Sequence, residues 1–138
     1  MKKLTLGKQE RVKSRKLIDQ LFKEGKNFNL FPYRVYYLFP AANQLKDFPD
    51  PLQFGVGVST RNFKHATDRN CVKRLSREAW RLQKTSLREL VLLKGIHLAV
   101  FVIYTGKELP GFDIANEKIG VILNRLIKTV HEVPAQVT

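Results

Sequence analysis

The stretch ATDRNCVKRLSREAWR, residues 66–81, carries Arg69, Lys73, Arg74, Arg77 and Arg81 around a lone cysteine, with Lys64 just upstream. Thr67 or Asp68 can cap a helix here, and the helical pattern runs to about Lys84. Placing successive residues 100° apart puts Cys71, Val72, Leu75, Ala79 and Leu82 within an arc of about 100°, the expected core face. Arg69, Asn70, Lys73, Arg74, Arg77, Arg81 and Lys84 fill the arc from about 60° to 200°, a single basic face, and Trp80 falls among them. These cations repel one another at i, i+4 spacings, and within the segment only Asp68 and Glu78 relieve them. An external polyanion is the natural relief. Cys71 sits at the border of the apolar arc, where a small hydrophobe is at home. His65 and Cys71 have no completing partners at a metal-binding spacing.

The rest of the chain repeats the signal. Its formal net charge is +13 over 138 residues, with 25 Lys and Arg against 12 Asp and Glu. Residues 1–26 hold nine cations against three carboxylates and residues 61–84 hold eight against two, so two short segments carry nearly all the excess. Clustering of this kind is the electrostatic footprint of a nucleic-acid binder. About five phosphate contacts would make single-strand binding fall on the order of a hundredfold for a fourfold rise in salt. Residues 98–104 form the longest apolar run and are far too short to span a bilayer. The basic start has no apolar stretch behind it that would read as a secretory signal, and one cysteine fits a reducing compartment, so the cytoplasm is the expected location. His65, His97 and His131 are scattered, and no carboxylate pair is placed to hold two metal ions, so a self-sufficient nuclease is poorly supported.

Around the basic helix the expected order is helix, strand, strand, helix, strand, helix, an α+β sandwich with a central mixed sheet in a single RNA-binding domain over residues 1–138. Ser14 caps a first helix with Leu17, Ile18, Leu21 and Phe22 as its stripe and Gly25 as its stop. Residues 33–39 read as an aromatic strand with Arg34, Tyr36 and Leu38 on one face. A turn-rich segment at about 41–51 then leads to a strand over 53–59, which together read as a hairpin with a long loop. In that second strand Gln53, Gly55, Gly57 and Ser59 share one face and leave it nearly bare for a partner. Residues 96–104 suit a strand covered on both faces, residues 85–94 are ambiguous, and Asp113 caps a last helix with Ile119, Ile122, Leu123, Leu126, Ile127 and Val130 inward. A flexible basic start at about 1–13 and a frayed tail at about 132–138 complete the organisation.

The string Ser59-Thr60-Arg61, Ala66, Arg69-Asn70-Cys71, Lys73-Arg74 and Arg77-Glu78-Ala79-Trp80-Arg81 resembles the signature of the protein subunit of bacterial ribonuclease P. The likeness extends to the first helix with Phe22 and Gly25 and to the strand through Tyr36, covering most of the chain. Two positions depart from the pattern: Cys71 stands where the family has Arg, and Ser59-Thr60-Arg61 where it has Ser-Lys-Lys. The resemblance implies a left-handed strand–helix–strand crossover, against the general right-handed rule. It further implies an accessory subunit that binds the catalytic RNA and precursor tRNA, while the RNA and the Mg²⁺ it holds remove the 5′ leader. Arg61, Lys64, Arg69, Asn70, Lys73, Arg74, Arg77 and Arg81 would then contact RNA, and Phe22, Tyr36 and Ser59 would line the leader cleft. No catalytic or metal-binding residue, no membrane and no obligate protein partner is expected. A ribosomal or other structural RNA-binding protein shares the charge and the helix but needs no leader cleft. A membrane-surface module ranks last, because the helix has no apolar arc left to insert.

Overall fold

A computed structural model describes residues 10–12, 14–40 and 50–133. In chain order the elements are α1 (Arg15–Glu24), β1 (Lys26–Leu30), β2 (Tyr33–Leu38), β3 (Leu52–Val58), α2 (Ala66–Gln83), α3 (Thr85–Lys94), β4 (Leu98–Tyr104) and α4 (Phe112–His131). The apolar run of β4 lies inside one four-stranded sheet of order β1-β2-β4-β3, antiparallel to β2 and parallel to β3. Its side chains alternate between two covers. Leu98, Val100, Val102 and Tyr104 enter the larger core with Val35, Phe54, Val72, Trp80, Ile119, Ile122 and Leu126, beneath α2 and α4. Ala99 and Phe101 enter a smaller core with Val12, Leu17 and Leu21, beneath α1.

The α+β class and mixed sheet are as expected, and the expected hairpin is not formed. β2 and β3 do not form a hairpin, because β4 lies between them and pairs Tyr36 with Phe101 on one side and Gly55 with Phe101 on the other. A strand that is apolar on both faces gains most from the interior of the sheet. Residues 41–49, expected as the hairpin loop, lie outside the described residues, as do 1–9, 13 and 134–138. The partner that does form a hairpin with β2 is β1, joined to it by Phe31 and Pro32. Its sequence KNFNL has low strand propensity, and only Phe28 and Leu30 enter or border the core. Arg125 of α4 covers the Phe28 ring at 4.1 Å.

Helix ends also shift. Ser14 caps α1 as read, its Oγ accepting from the Leu17 amide at 3.4 Å. The α2 N-cap is His65 rather than Thr67 or Asp68, and the α4 N-cap is Gly111 rather than Asp113. Residues 85–94 form a helix that closes at Gly95, whose φ of 65° is the left-handed conformation glycine favours.

The buried flank of α2 is Val72, Ser76, Ala79, Trp80 and the following Lys84, while Cys71 and Leu75 are half-buried and Leu82 is 41% exposed. Relative to the hydropathy arc the helix is turned by about 80°. Two side chains explain the turn. Trp80 stacks on Phe54 with ring centroids 4.2 Å apart and planes 13° from parallel. Ser76 satisfies its hydroxyl with Tyr33 Oη at 2.7 Å and the Val72 carbonyl at 2.9 Å, so a polar residue can sit beneath the helix. Burial pushes the Tyr33 hydroxyl above its ordinary pKa. Trp80 is therefore core and not a stacking surface for bases.

Trp80→Ala should cost about 3–5 kcal/mol of stability in urea denaturation, the price of a large buried cavity. A surface stacking residue would leave the unfolding midpoint unchanged and lower RNA affinity alone.

Candidate nucleic-acid interface

The side chains expected to bind RNA divide into a free-standing group and a group engaged within the fold. Arg61, Lys64, Asn70 and Arg74 are exposed, and Lys73 and Arg77 are half-buried along the accessible flank of α2. Arg69 is different. Its Nη1 donates to the carbonyls of Phe63 and Lys64, both at 2.8 Å, so it shapes the loop that leads into the helix. Arg81 is ion-paired with Glu78, and Arg81 Nε donates to Glu78 Oε2 at 3.0 Å. That hydrogen bond holds the Glu78 carboxyl below its ordinary pKa and raises the Arg81 guanidinium. Lys84, which hydropathy places on the basic face, is 3% exposed and ion-paired with Glu10.

A residue outside the helix joins this surface. Arg11, Arg74, Arg77, Glu78 and Arg81 line a cleft of about 340 Å³. Residues 11 and 12 run beside β3, with Arg11 bridged to Phe54 and the Val12 amide donating to the Phe54 carbonyl at 2.9 Å. Burial and the nearby Arg11 charge push the Arg77 guanidinium below its ordinary pKa. Three of the four cations come from α2 and the fourth from a segment distant in sequence, so no local motif could announce Arg11 as a partner. Its only advance signal is the excess of cations over residues 1–26.

On the opposite face of the sheet the expected aromatic residues do meet. Phe22 of α1 is 43% exposed, with its ring centroid 4.8 Å from Tyr36 and 5.7 Å from Phe101. The Arg34 guanidinium lies 5.6 Å from the Tyr36 ring centre. Phe101 is the member that sequence reasoning missed, hidden in the apolar run of β4. It also changes the meaning of the β3 glycines. A Cβ on Gly55 would lie 2.6 Å from the Phe101 ring and one on Gly57 3.2 Å from it, so the bare strip is a seat for Phe101 rather than open backbone. Ser59 ends this strip half-buried, its Oγ accepting from the Arg61 amide at 3.1 Å and turning the chain toward α2.

The two surfaces meet at the outer edge of β3. Val12 packs with Phe101 and Leu21, and its neighbour Arg11 lines the arginine cleft, so consecutive residues serve the two sides. A polyanion crossing this edge would meet exposed aromatic rings on one side and guanidinium groups on the other. Among the described residues no three His, Cys, Asp or Glu side chains come together in a group that could hold a metal ion.

Comparison with known proteins identifies the family and the fold. A family model described as Ribonuclease P matches residues 6–127. A ribonuclease P protein component from Porphyromonas gingivalis is 36% identical over 125 residues, covering 91% of this chain and 88% of the relative. One from Chlorobium phaeobacteroides is 31% identical over 129 residues, covering 88% of each chain. Among solved structures, the RNase P protein from Thermotoga maritima is similar with a TM-score of 0.63 and 26% identity, over 84% of this chain and 96% of that one. The RNase P protein of Staphylococcus aureus has the same fold, with a TM-score of 0.57 at 22% identity over 87% of this chain and 94% of that one. The chain belongs to the ribonuclease P protein family.

The two groups of cations should respond differently to neutralisation. Arg74→Ala should flatten the slope of log affinity against log salt for single-stranded RNA by about 0.7, the value of one phosphate contact. Arg81→Ala should change it by less, since Glu78 already meets that charge. Equal slope changes, measured by fluorescence anisotropy from low to moderate salt, would contradict this division.

Proposed function

We propose that the chain is the RNA-binding accessory subunit of a ribonuclease P holoenzyme, contacting the catalytic RNA through α2 and the 5′ leader of precursor tRNA through the Phe22–Tyr36–Phe101 face. The observation that carries this reading is the junction at β3, where an aromatic surface and a basic surface lie back to back and are joined by residues 11 and 12. A single-stranded leader has unpaired bases that can stack on aromatic rings, which paired RNA does not offer. The exposed Phe22 and half-buried Tyr36 supply such rings, and Arg34 supplies a cation beside them.

In this reading Arg61, Lys64, Lys73, Arg74 and Arg77 meet phosphates of the RNA subunit, with Asn70 adding a neutral polar contact. Arg69 holds the entry loop in register and adds its positive charge to the surface. Arg81 contributes with its charge partly met by Glu78. Ser59 positions the chain between the leader face and the basic helix. In this reading the chemistry at the phosphodiester belongs to the RNA subunit, which would hold the Mg²⁺ that such cleavage uses. What the protein does is lower the repulsion between two polyanions and align the leader across the sheet. No described helix is long and apolar enough to cross a membrane, and the proposed site of action is the cytoplasm, where precursor tRNA is made.

Tyr36→Ala tests the leader face. It should weaken binding of precursor tRNA to the holoenzyme by about 1 kcal/mol or more, the value of a lost base–aromatic stack, and leave mature tRNA nearly unchanged. Equal losses for the two RNAs would remove the leader from the account and favour a structural RNA-binding role.

A further inference from the structure

A second cavity lies apart from the arginine cleft and the aromatic rings, where the turn between β1 and β2 meets the segment joining β4 to α4. Its volume is about 410 Å³, within the range of small-molecule sites, and Phe31, Tyr104, Leu109 and Ile114 give it apolar walls beside Lys107 and Lys118. Phe31 is 73% exposed, Leu109 49% and Ile114 45%. Three large apolar side chains around one opening exceed the scattered single exposures of an ordinary surface.

The walls are held in place. Thr105 donates from both its amide, at 2.7 Å, and its Oγ1, at 3.1 Å, to the Pro32 carbonyl. Tyr104 Oη donates to the Glu108 carbonyl at 2.8 Å and fixes the segment that carries Lys107. Asn62 Nδ2 donates to the Thr105 carbonyl at 3.3 Å, which ties this end of the molecule to the loop bearing Arg61 and Lys64. One hydrogen bond therefore links the residue that follows Tyr104 of the cavity wall to the basic loop that enters α2.

We propose that this cavity receives one unpaired nucleotide of the RNA partner, its base against Phe31 and Ile114 and its phosphates beside Lys107 and Lys118. The inference rests on the RNA-binding reading above and extends that surface to the start of α4. Charge selects the occupant. Two lysines stand against one lining carboxylate, Glu108, on a chain of net charge +13. An exposed aromatic ring at the mouth gives any base a stacking partner whatever its identity.

Amide chemical-shift mapping of the full chain with a short single-stranded oligoribonucleotide at low salt tests this directly. Saturable shifts are expected at Phe31, Leu109, Gly111 and Ile114, in addition to shifts at Tyr36 and Arg74. Phe31→Ala should weaken the cavity response about tenfold, the size of one lost stack, while the Tyr36 response persists. The double change Lys107→Gln with Lys118→Gln, which leaves the apolar walls intact, should flatten the salt dependence of the same signals. Shifts at Tyr36 and Arg74 with none in the cavity would overturn this proposal and leave the RNA-binding reading standing. Cavity shifts that survive both variants, or that an acidic peptide produces at lower concentration, would overturn it as well. No shift anywhere in the chain would overturn the RNA-binding reading together with it.

Discussion

Everything in this fold follows from a strand that must be covered twice. β4 is apolar at every position from Leu98 to Tyr104, so water has to be excluded from both of its faces. One face takes α2 and α4, the other takes α1, and a single α1 of ten residues cannot cover four strands. The uncovered remainder of that face carries the exposed Arg34 and the half-buried Tyr36. Exposure of aromatic side chains there is thus a consequence of unequal cover, and a single-stranded polyanion with stacking bases is a partner suited to it.

The same asymmetry places the charge. Because α2 packs on the larger core through Trp80 and Ser76, its basic flank is directed to the β3 edge, where residues 10–12 run alongside. Some of its charge is met within the protein. Glu78 takes Arg81, Glu10 takes Lys84 and also lies 3.6 Å from Arg88, and the carbonyls of Phe63 and Lys64 take Arg69. The cations left in or near water are those with the least desolvation to overcome on meeting phosphate. Arg77 is half-buried and also feels the like charge of Arg11, and a bound anion would relieve that repulsion.

Much of this was legible beforehand because it depends on local spacing. The basic flank of α2, the capped α1, the inward stripe of α4 and the aromatic strand all follow from helical or strand periods, and the family signature lies within the same residues. What could not be read depended on pairing. The KNFNL edge strand has no propensity of its own and exists through β2. The position of β4 between β2 and β3 turns on which strand gains most from the interior, a comparison across the whole chain. Trp80 sits on the basic side of a hydropathy wheel, and only the Phe54 ring opposite makes it core. Phe101 looks like one more residue of a buried run until the seat formed by Gly55 and Gly57 is seen. Arg11 and the α2 arginines are brought together by a bridge that no motif encodes.

The proposed role is that of an assistant to an RNA catalyst, and the measurement closest to it is reconstitution. Precursor tRNA is incubated with its cognate bacterial ribonuclease P RNA at low Mg²⁺, with and without this chain, and the 5′ products are mapped. Restored cleavage at the junction between leader and mature tRNA, absent when either macromolecule is omitted, is the predicted result. RNA binding by the chain without any gain in cleavage would contradict it.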